Sequence, residues 1–191
     1  MVRERVSRRQ RLIEVGMDLF CKHTYEEISI DDIAEVANIS KGLLYYYFPT
    51  KHDFYVAVVQ SAAEQLLQAI EDASTEQLES LERLRAGLNA YFAYAESHAQ
   101  AYVTLMRGGV GADAQIAAII DATRQTQVQR VLEGAAREKP LTPLHHIAIS
   151  GWIGFVEAAC IAWLEQRNVE REHLSDLATT AFITLWGSIP R

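Results

Sequence analysis

The chain has 191 residues, 49% of them apolar, with only 10 Gly and 4 Pro, a composition that excludes a disordered or low-complexity protein. That length suits one helical domain, or a small domain joined to a larger one, and is too short for a multidomain enzyme. A net charge of −7 would speak against nucleic acid if it were evenly spread, because duplex binding is driven by Lys and Arg neutralising phosphates.

The charge is not evenly spread. Arg3, Arg5, Arg8, Arg9 and Arg11 are opposed only by Glu4 at the start of the chain, whereas acidic residues prevail from position 56 onward. The basic end is a candidate polyanion contact, the alternative being a solvated, frayed terminus. Strand signals are nearly absent, and apolar residues recur at three- and four-residue spacing, as in Ile13, Met17 and Phe20 or Ile116 and Ile120. The periodicity predicts a first helix over 7–23. Ser29 with Asp32, Ser40, and Thr50 with Asp53 resemble helix N-caps with acidic first turns. They predict helices over 30–37, 41–47 and 51–72, with Pro49 breaking the chain between the last two. Further periodic segments run near 76–97, 99–107, 113–138, 143–167 and 171–188, separated at His98, at Gly108 to Gly111, at Pro140 to Pro143 and at Asn168-Val169.

Cys21 and Cys160 lie far apart within apolar helical patterns and are expected as buried core residues in a reducing cytoplasm. A secretory-type leader and an unbroken run of about eighteen apolar residues are both missing. The expectation is a cytoplasmic protein with no membrane partner.

The stretch from Ser29 to Phe48 carries the functional signal. It reads as two short helices joined at Asn38, a residue that tolerates the left-handed conformation of a tight turn. Ile33, Ala34 and Ala37 of the first of these helices should pack inward, with Ile39 filling the angle between the two. In the second, Leu44 and Phe48 lie four apart on one face, which leaves Lys41, Gly42, Tyr45 and Tyr46 facing outward. That outer face suits a DNA major groove: Gly42 permits close approach, Lys41 can reach guanine edges or phosphate, and tyrosine hydroxyls can bond phosphate. The alternative is a tyrosine-rich packing helix.

The run Ile39-Ser40-Lys41-Gly42-Leu43-Leu44-Tyr45-Tyr46-Tyr47-Phe48-Pro49-Thr50-Lys51 resembles the signature of TetR-type regulators. The likeness covers about residues 8–57, with Ile13, Leu19-Phe20, Tyr25 and Ile33-Ala34 in register; beyond it, only length and helical character match. The resemblance implies an all-α chain, with a three-helix DNA-binding domain with a helix-turn-helix at 1–52 and a larger helical ligand-binding and dimerisation domain at 53–191. It also implies that Lys41, Gly42, Leu43, Tyr45, Tyr46 and Tyr47 lie at or near double-stranded operator DNA, with Lys51 and the start of the second helix at Ser29 touching the backbone; Ser40 at the start of the third helix and Arg8 of the basic end are further candidate DNA contacts. Four positions depart from the common pattern: Gly16 where Ala is usual, Thr24 and Asn38 where Gly is usual, and Tyr47 where His is usual. Thr24 would be costly if its backbone needed a positive φ. Asp31 and Asp32 also place negative charge at the start of the second helix. Asp32 reads as its cap, and Asp31 argues against DNA contact at that end.

A helix-turn-helix protein of this kind reads two half-sites about 34–36 Å apart, which calls for a two-fold homodimer. Gly151, Gly154 and Ala158 form a small-residue ridge, and Leu174, Leu177, Ala181 and Leu185 an apolar stripe, that together suit a four-helix dimer contact; the alternative is intramolecular core. Tyr91, Tyr94, Tyr102, Met106, Trp152 and Phe155 concentrate apolar surface that is either core or a pocket for an aromatic or lipophilic effector. Arg107 and Glu157 would bind a polar ligand group or pair with each other, since a carboxylate within so apolar a segment needs a partner. Adjacent His145 and His146 are poorly spaced for a metal and read as polar residues of a helix start, and neither a metal, a cofactor nor a nucleophile-base set is called for. The expected function is a repressor that binds palindromic DNA as a homodimer and is released by a small molecule. The alternative is a DNA-binding regulator without such an effector, governed by a protein partner or its own abundance.

Overall fold

Polar caps set the lengths of the first helices. The computed structural model describes residues 2–75, 77–109, 113–136 and 141–190, and the side chains of all of these except 2–7, 109 and 136. The side chains of Arg3 and Arg5, and the breaks at Val110-Gly111 and Pro140, lie outside them. Among the described residues the chain is helical without strands: α1 (Val2–Phe20), α2 (Ile30–Val36), α3 (Lys41–Tyr47), α4 (Lys51–Ala73), α5 (Ser80–Ser97), α6 (Ala99–Thr104), a π-helical turn (Leu105–Gly109), α7 (Ala114–Ala136), α8 (Pro143–Gln166) and α9 (Arg171–Ser188).

Each predicted cap is in place. The Asp32 amide donates to Ser29 Oγ at 3.2 Å and the Ser29 amide to the Asp32 carboxylate at 2.7 Å, a reciprocal capping box at the start of α2. Ser40 Oγ accepts from the Leu43 amide at 3.2 Å, and Thr50 and Asp53 form a second box at 3.0 Å in each direction. Asn38 turns the chain with φ 51°, the left-handed conformation expected of it. Thr24 is not among the described residues with positive φ, so the substitution of Gly there carries no backbone strain; its amide is satisfied by the Glu27 carboxylate at 2.8 Å. The first helix begins and ends earlier than its periodicity predicts, starting at Val2 and giving way at Phe20 to a closing turn.

The chain divides into two compact units, Met1–Glu64 with His98–Ile119, and Gln65–Ser97 with Ile120–Arg191. In the first, Leu12, Ile13, Phe20, Ile33, Leu44 and Phe54 form the centre of one apolar core. Gly16 lies at the tightest point of this core. A Cβ built there would sit 2.5 Å from Val58 Cγ2 and 2.6 Å from Phe54 Cζ, so the missing side chain is what lets α1 lie directly on α4. The Asp113 carboxylate caps α7 by accepting from the Gln115 and Ile116 amides at 2.9 and 3.3 Å, and it also contacts the His52 ring at the start of α4.

In the second unit α9 packs on α5 and α8. The Trp152 indole donates to the Ala178 carbonyl at 2.9 Å, Ser175 Oγ to Asn89 Oδ1 at 2.5 Å, and Arg171 to Glu96 at 2.9 Å. One face of α8 is buried through Ile149, Trp152, Val156, Cys160 and Trp163. Its length and composition would suffice to cross a membrane, as is also true of core helices in soluble proteins. Both histidines lie in the first turns of α8, where His145 Nδ1 meets the Thr142 hydroxyl and amide, and the His145 ring is buried against Trp186. Cys160 is fully buried as expected. Cys21 is only half-buried, which corrects its assignment to the core; it follows the last residue of α1, where the helix has run past the centre of the unit. Burial, and then the neighbouring Asp18 charge, push its thiol pKa up.

Candidate nucleic-acid interface and the residues of the second unit

The third helix, α3, turns one side to the core and the other to solvent. Leu44 and Phe48, at the helix and its C-cap, are 0% and 1% exposed, which roots the helix in the core of the first unit. Lys41, Gly42, Tyr45 and Tyr46 are exposed on the opposite side, as the four-residue spacing predicts. Leu43 and Tyr47 are half-buried at the edges of this face, with the Tyr47 ring edge-on to Tyr46 at 5.2 Å. A Cβ added at Gly42 would meet only Ser40 Oγ, at 4.0 Å, so the space above that backbone is open. Ser29 and Ser40 are exposed at the starts of α2 and α3, and Arg8 is exposed on α1.

Three contacts on this surface have no signature in the sequence. The Lys51 ammonium sits 4.1 Å above the Tyr25 ring, and the Arg9 guanidinium 5.0 Å from the Phe48 ring centre. The Lys41 ammonium is paired with the Asp31 carboxylate. Asp32 is held below the usual aspartate range by the Ser29 hydroxyl and then by the Ser29 amide. Its charge belongs to the capping of α2, as its spacing predicts.

The residues expected around an effector come from both units. Tyr91, Tyr94, Trp152, Phe155 and Glu157 belong to the second unit, whereas Tyr102, Met106 and Arg107 belong to the first, on α6 and the π-helical turn. Tyr91 and Trp152 are buried, and Phe155 is 39% exposed. Phe155 therefore shares the outer side of α8 with Gly151, Gly154 and Ala158, because positions 151, 154, 155 and 158 fall on one helical face. A Cβ at Gly151 or Gly154 would meet nothing within 4 Å. On α9, Leu177 and Leu185 are exposed and Ala181 is half-buried, but Leu174 is turned inward at 6% exposure.

Glu157 has a partner that sequence reasoning missed. Arg124 of α7 lays its guanidinium against the carboxylate, with Nε 2.9 Å from both oxygens, and reaches Asp121 with its other end at 3.0 Å. The Glu157 hydrogen bond is the largest influence on Arg124 and raises its pKa, against a smaller opposing effect of burial. A helical pattern alone could not reveal this pair, whose members are 33 positions apart.

Two family models match the chain, one described as bacterial regulatory proteins of the tetR family over residues 12–58, the other as the tetracyclin repressor-like C-terminal domain over residues 80–185. Among curated proteins, the transcriptional activator FasR of Mycolicibacterium smegmatis is 27% identical over 137 residues, which cover 72% of this chain and 63% of FasR. The match therefore spans less than two-thirds of that relative's length. Among solved structures, a tetR-family transcriptional regulator from Streptomyces coelicolor superimposes with a TM-score of 0.86 at 30% identity, covering 95% of this chain and 81% of that one. FadR from Bacillus subtilis, solved in complex with stearoyl-CoA, shares the fold with a TM-score of 0.71 at 16% identity, covering 95% of this chain and 99% of that one. With both of its units matched, the chain belongs to the TetR family of DNA-binding transcriptional regulators.

Proposed function

We propose that this regulator is a cytoplasmic repressor that binds palindromic operator DNA as a homodimer and is released by a small lipophilic molecule. The observation that carries the reading is the division of α3, where Leu44 and the C-cap Phe48 are buried while Lys41, Gly42, Tyr45 and Tyr46 are exposed. Regulators of this family bind operator DNA as dimers. In this reading α3 enters the major groove, Lys41 meets base edges, and Arg8, Ser29, Ser40, Tyr45, Tyr46, Tyr47 and Lys51 meet the backbone, with Gly42 and Leu43 close to the bases.

The dimer surface we assign to the outer side of α8 and α9, through Gly151, Gly154, Phe155, Ala158, Leu177, Ala181 and Leu185. It is supported by apolar side chains left open there, including Ile147 at 69% and Leu177 at 54% exposure. The effector site centres on Tyr91, Tyr94, Trp152 and Glu157. Long acyl compounds are the first class to screen, because a protein of the same fold was solved with stearoyl-CoA. Release requires that the effector bind the DNA-free state more tightly than the DNA-bound state. A second reading reverses the direction of control, since the curated relative FasR is named an activator.

The test begins with fluorescence anisotropy on duplexes enriched from a random pool by the full chain. Two copies of the chain per palindrome and a steep salt dependence are the expected results. Ile147→Glu should give a folded monomer by sedimentation that loses operator binding. Failure of the wild-type chain to enrich any sequence, or binding of one copy per operator, would overturn the proposal.

A further inference from the structure

Asp31 is an acidic residue on a face that has to approach phosphate, and helix capping does not account for it. The capping carboxylate of α2 is Asp32, which closes the reciprocal box with Ser29. Asp31 instead pairs with Lys41, the first residue of α3, and both side chains are about 60% exposed. An exposed ion pair adds little to the stability of a fold. Its effect on a DNA-facing surface is larger, because the carboxylate cancels the cation that would otherwise be free to neutralise a phosphate anywhere along the duplex.

The pair as a unit has a shape in hydrogen-bonding terms: an ammonium with three donors beside a carboxylate with only acceptors. The major-groove edge of a G·C pair is its complement, presenting guanine N7 and O6 as acceptors next to the cytosine N4 amine as donor. An A·T pair presents the adenine donor between two acceptors and places the thymine methyl at the far side, where a carboxylate would lose its water without gaining a partner. We propose that Asp31 and Lys41 together form a specificity-determining unit that selects a G·C pair in each half-site, Lys41 donating to guanine and Asp31 accepting from cytosine. The same carboxylate weakens binding to DNA that lacks this pair. The proposal rests on the DNA-binding reading above and names two side chains within it.

The experiment repeats the enrichment from a random duplex pool with the full-length wild-type chain and with Asp31→Ala and Lys41→Ala. The wild type is expected to favour G·C over A·T at one position of each half-site by roughly tenfold, and both variants should lose that preference at the same position. On unrelated duplex, Asp31→Ala should bind several-fold more tightly than wild type, with the slope of log K against log salt steeper by about 0.9 per protomer as Lys41 gains a phosphate. Circular dichroism of each variant, unchanged from wild type, establishes that the fold is intact. An Asp31→Ala protein that keeps the wild-type preference at every position, or that binds unrelated DNA no more tightly, overturns the inference while leaving the DNA-binding reading in place. A wild-type chain that enriches no sequence overturns both.

Discussion

Replacing Gly16 by Ala sets two effects of known sign against each other. In an exposed helix the change would stabilise by about 1 kcal/mol, because Ala is the better helix former. Here the new methyl would stand 2.5 Å from Val58 Cγ2 and 2.6 and 2.9 Å from two atoms of the Phe54 ring, where ordinary contact begins at 3.4 Å. Phe54 is 0% and Val58 4% exposed, so neither can swing into solvent, and the two helices must part or the ring must leave its rotamer. Overpacking of a filled core costs about 1–3 kcal/mol. With three close approaches on one carbon the upper half of that range applies, which leaves a net loss of about 1–2 kcal/mol, or roughly 2–8 °C in Tm for a protein of this size. Thermal unfolding followed by circular dichroism at fixed protein concentration measures it. Valine at Phe54 in the same background should recover most of the loss relative to its own Gly16 parent by opening space for the methyl. A Gly16→Ala protein as stable as wild type, or more so, would show that the contact between α1 and α4 is looser than described and would refute the reasoning.

Asn38→Ala should destabilise the first unit by about 1–2 kcal/mol, since φ of 51° suits Asn or Gly but not a residue with a plain Cβ, while Asn38→Gly should be nearly neutral; chemical denaturation distinguishes them. Glu157→Ala removes the bidentate partner of the partly buried Arg124, leaving Asp121 beside it, and should cost about 1–2 kcal/mol, less than a fully buried pair because water reaches about a third of Arg124. The double variant Arg124→Met with Glu157→Met should recover stability in urea titrations, and failure to do so would mean that the pair itself favours folding. The Asp113 carboxyl should titrate below the ordinary value of 3.8, chiefly through its hydrogen bond with His52. Because the folded pKa is the lower one, this contribution to stability is complete above the ordinary value and is lost as pH falls through the folded one. Carboxyl NMR titration of His52→Ala should show Asp113 moving back toward 3.8, and an unmoved titration would assign the shift to the α7 amides instead.

The legible parts of this chain are those whose physics is local. A hydroxyl three residues before a carboxylate satisfies two helix-end amides within one turn, so Ser29 with Asp32 and Thr50 with Asp53 could be placed from spacing alone. The same holds for Asn38, where the turn needs a particular backbone conformation, and for Leu44 and Phe48, where a four-residue spacing on a short amphipathic helix leaves one choice of inner face. Periodicity fails on α8, which is apolar nearly all round. Trp152 and Phe155 look alike in sequence, yet Trp152 is buried with its indole bonded to α9 and Phe155 stands outside. Leu174 and Leu177 divide in the same way on α9. Gly16 and the Arg124 partner of Glu157 were illegible for a different reason: each is explained by residues 33 or more positions away, and only the packing of helices brings them within reach.

The net charge of −7 is reconciled with DNA binding by how individual cations are held, more than by where they occur along the chain. Residues 1–51 contain eight Lys or Arg (3, 5, 8, 9, 11, 22, 41, 51) and eight Asp or Glu (4, 14, 18, 26, 27, 31, 32, 35), so the DNA-binding end is neutral and the whole excess of acid lies beyond it. A neutral surface exerts little long-range pull on a duplex, and attraction must come from cations whose charge is not cancelled at short range. Arg9 and Lys51 rest on the faces of Phe48 and Tyr25, an arrangement that fixes the position of a cation while leaving its charge in place. Lys41 rests on Asp31, which fixes its position and removes its charge as seen from a distance. The aromatic supports therefore suit contacts to phosphate, which is the same at every step of the duplex. The carboxylate support suits contact with a base edge, where attraction is wanted only after the groove has been entered and only opposite the right pair.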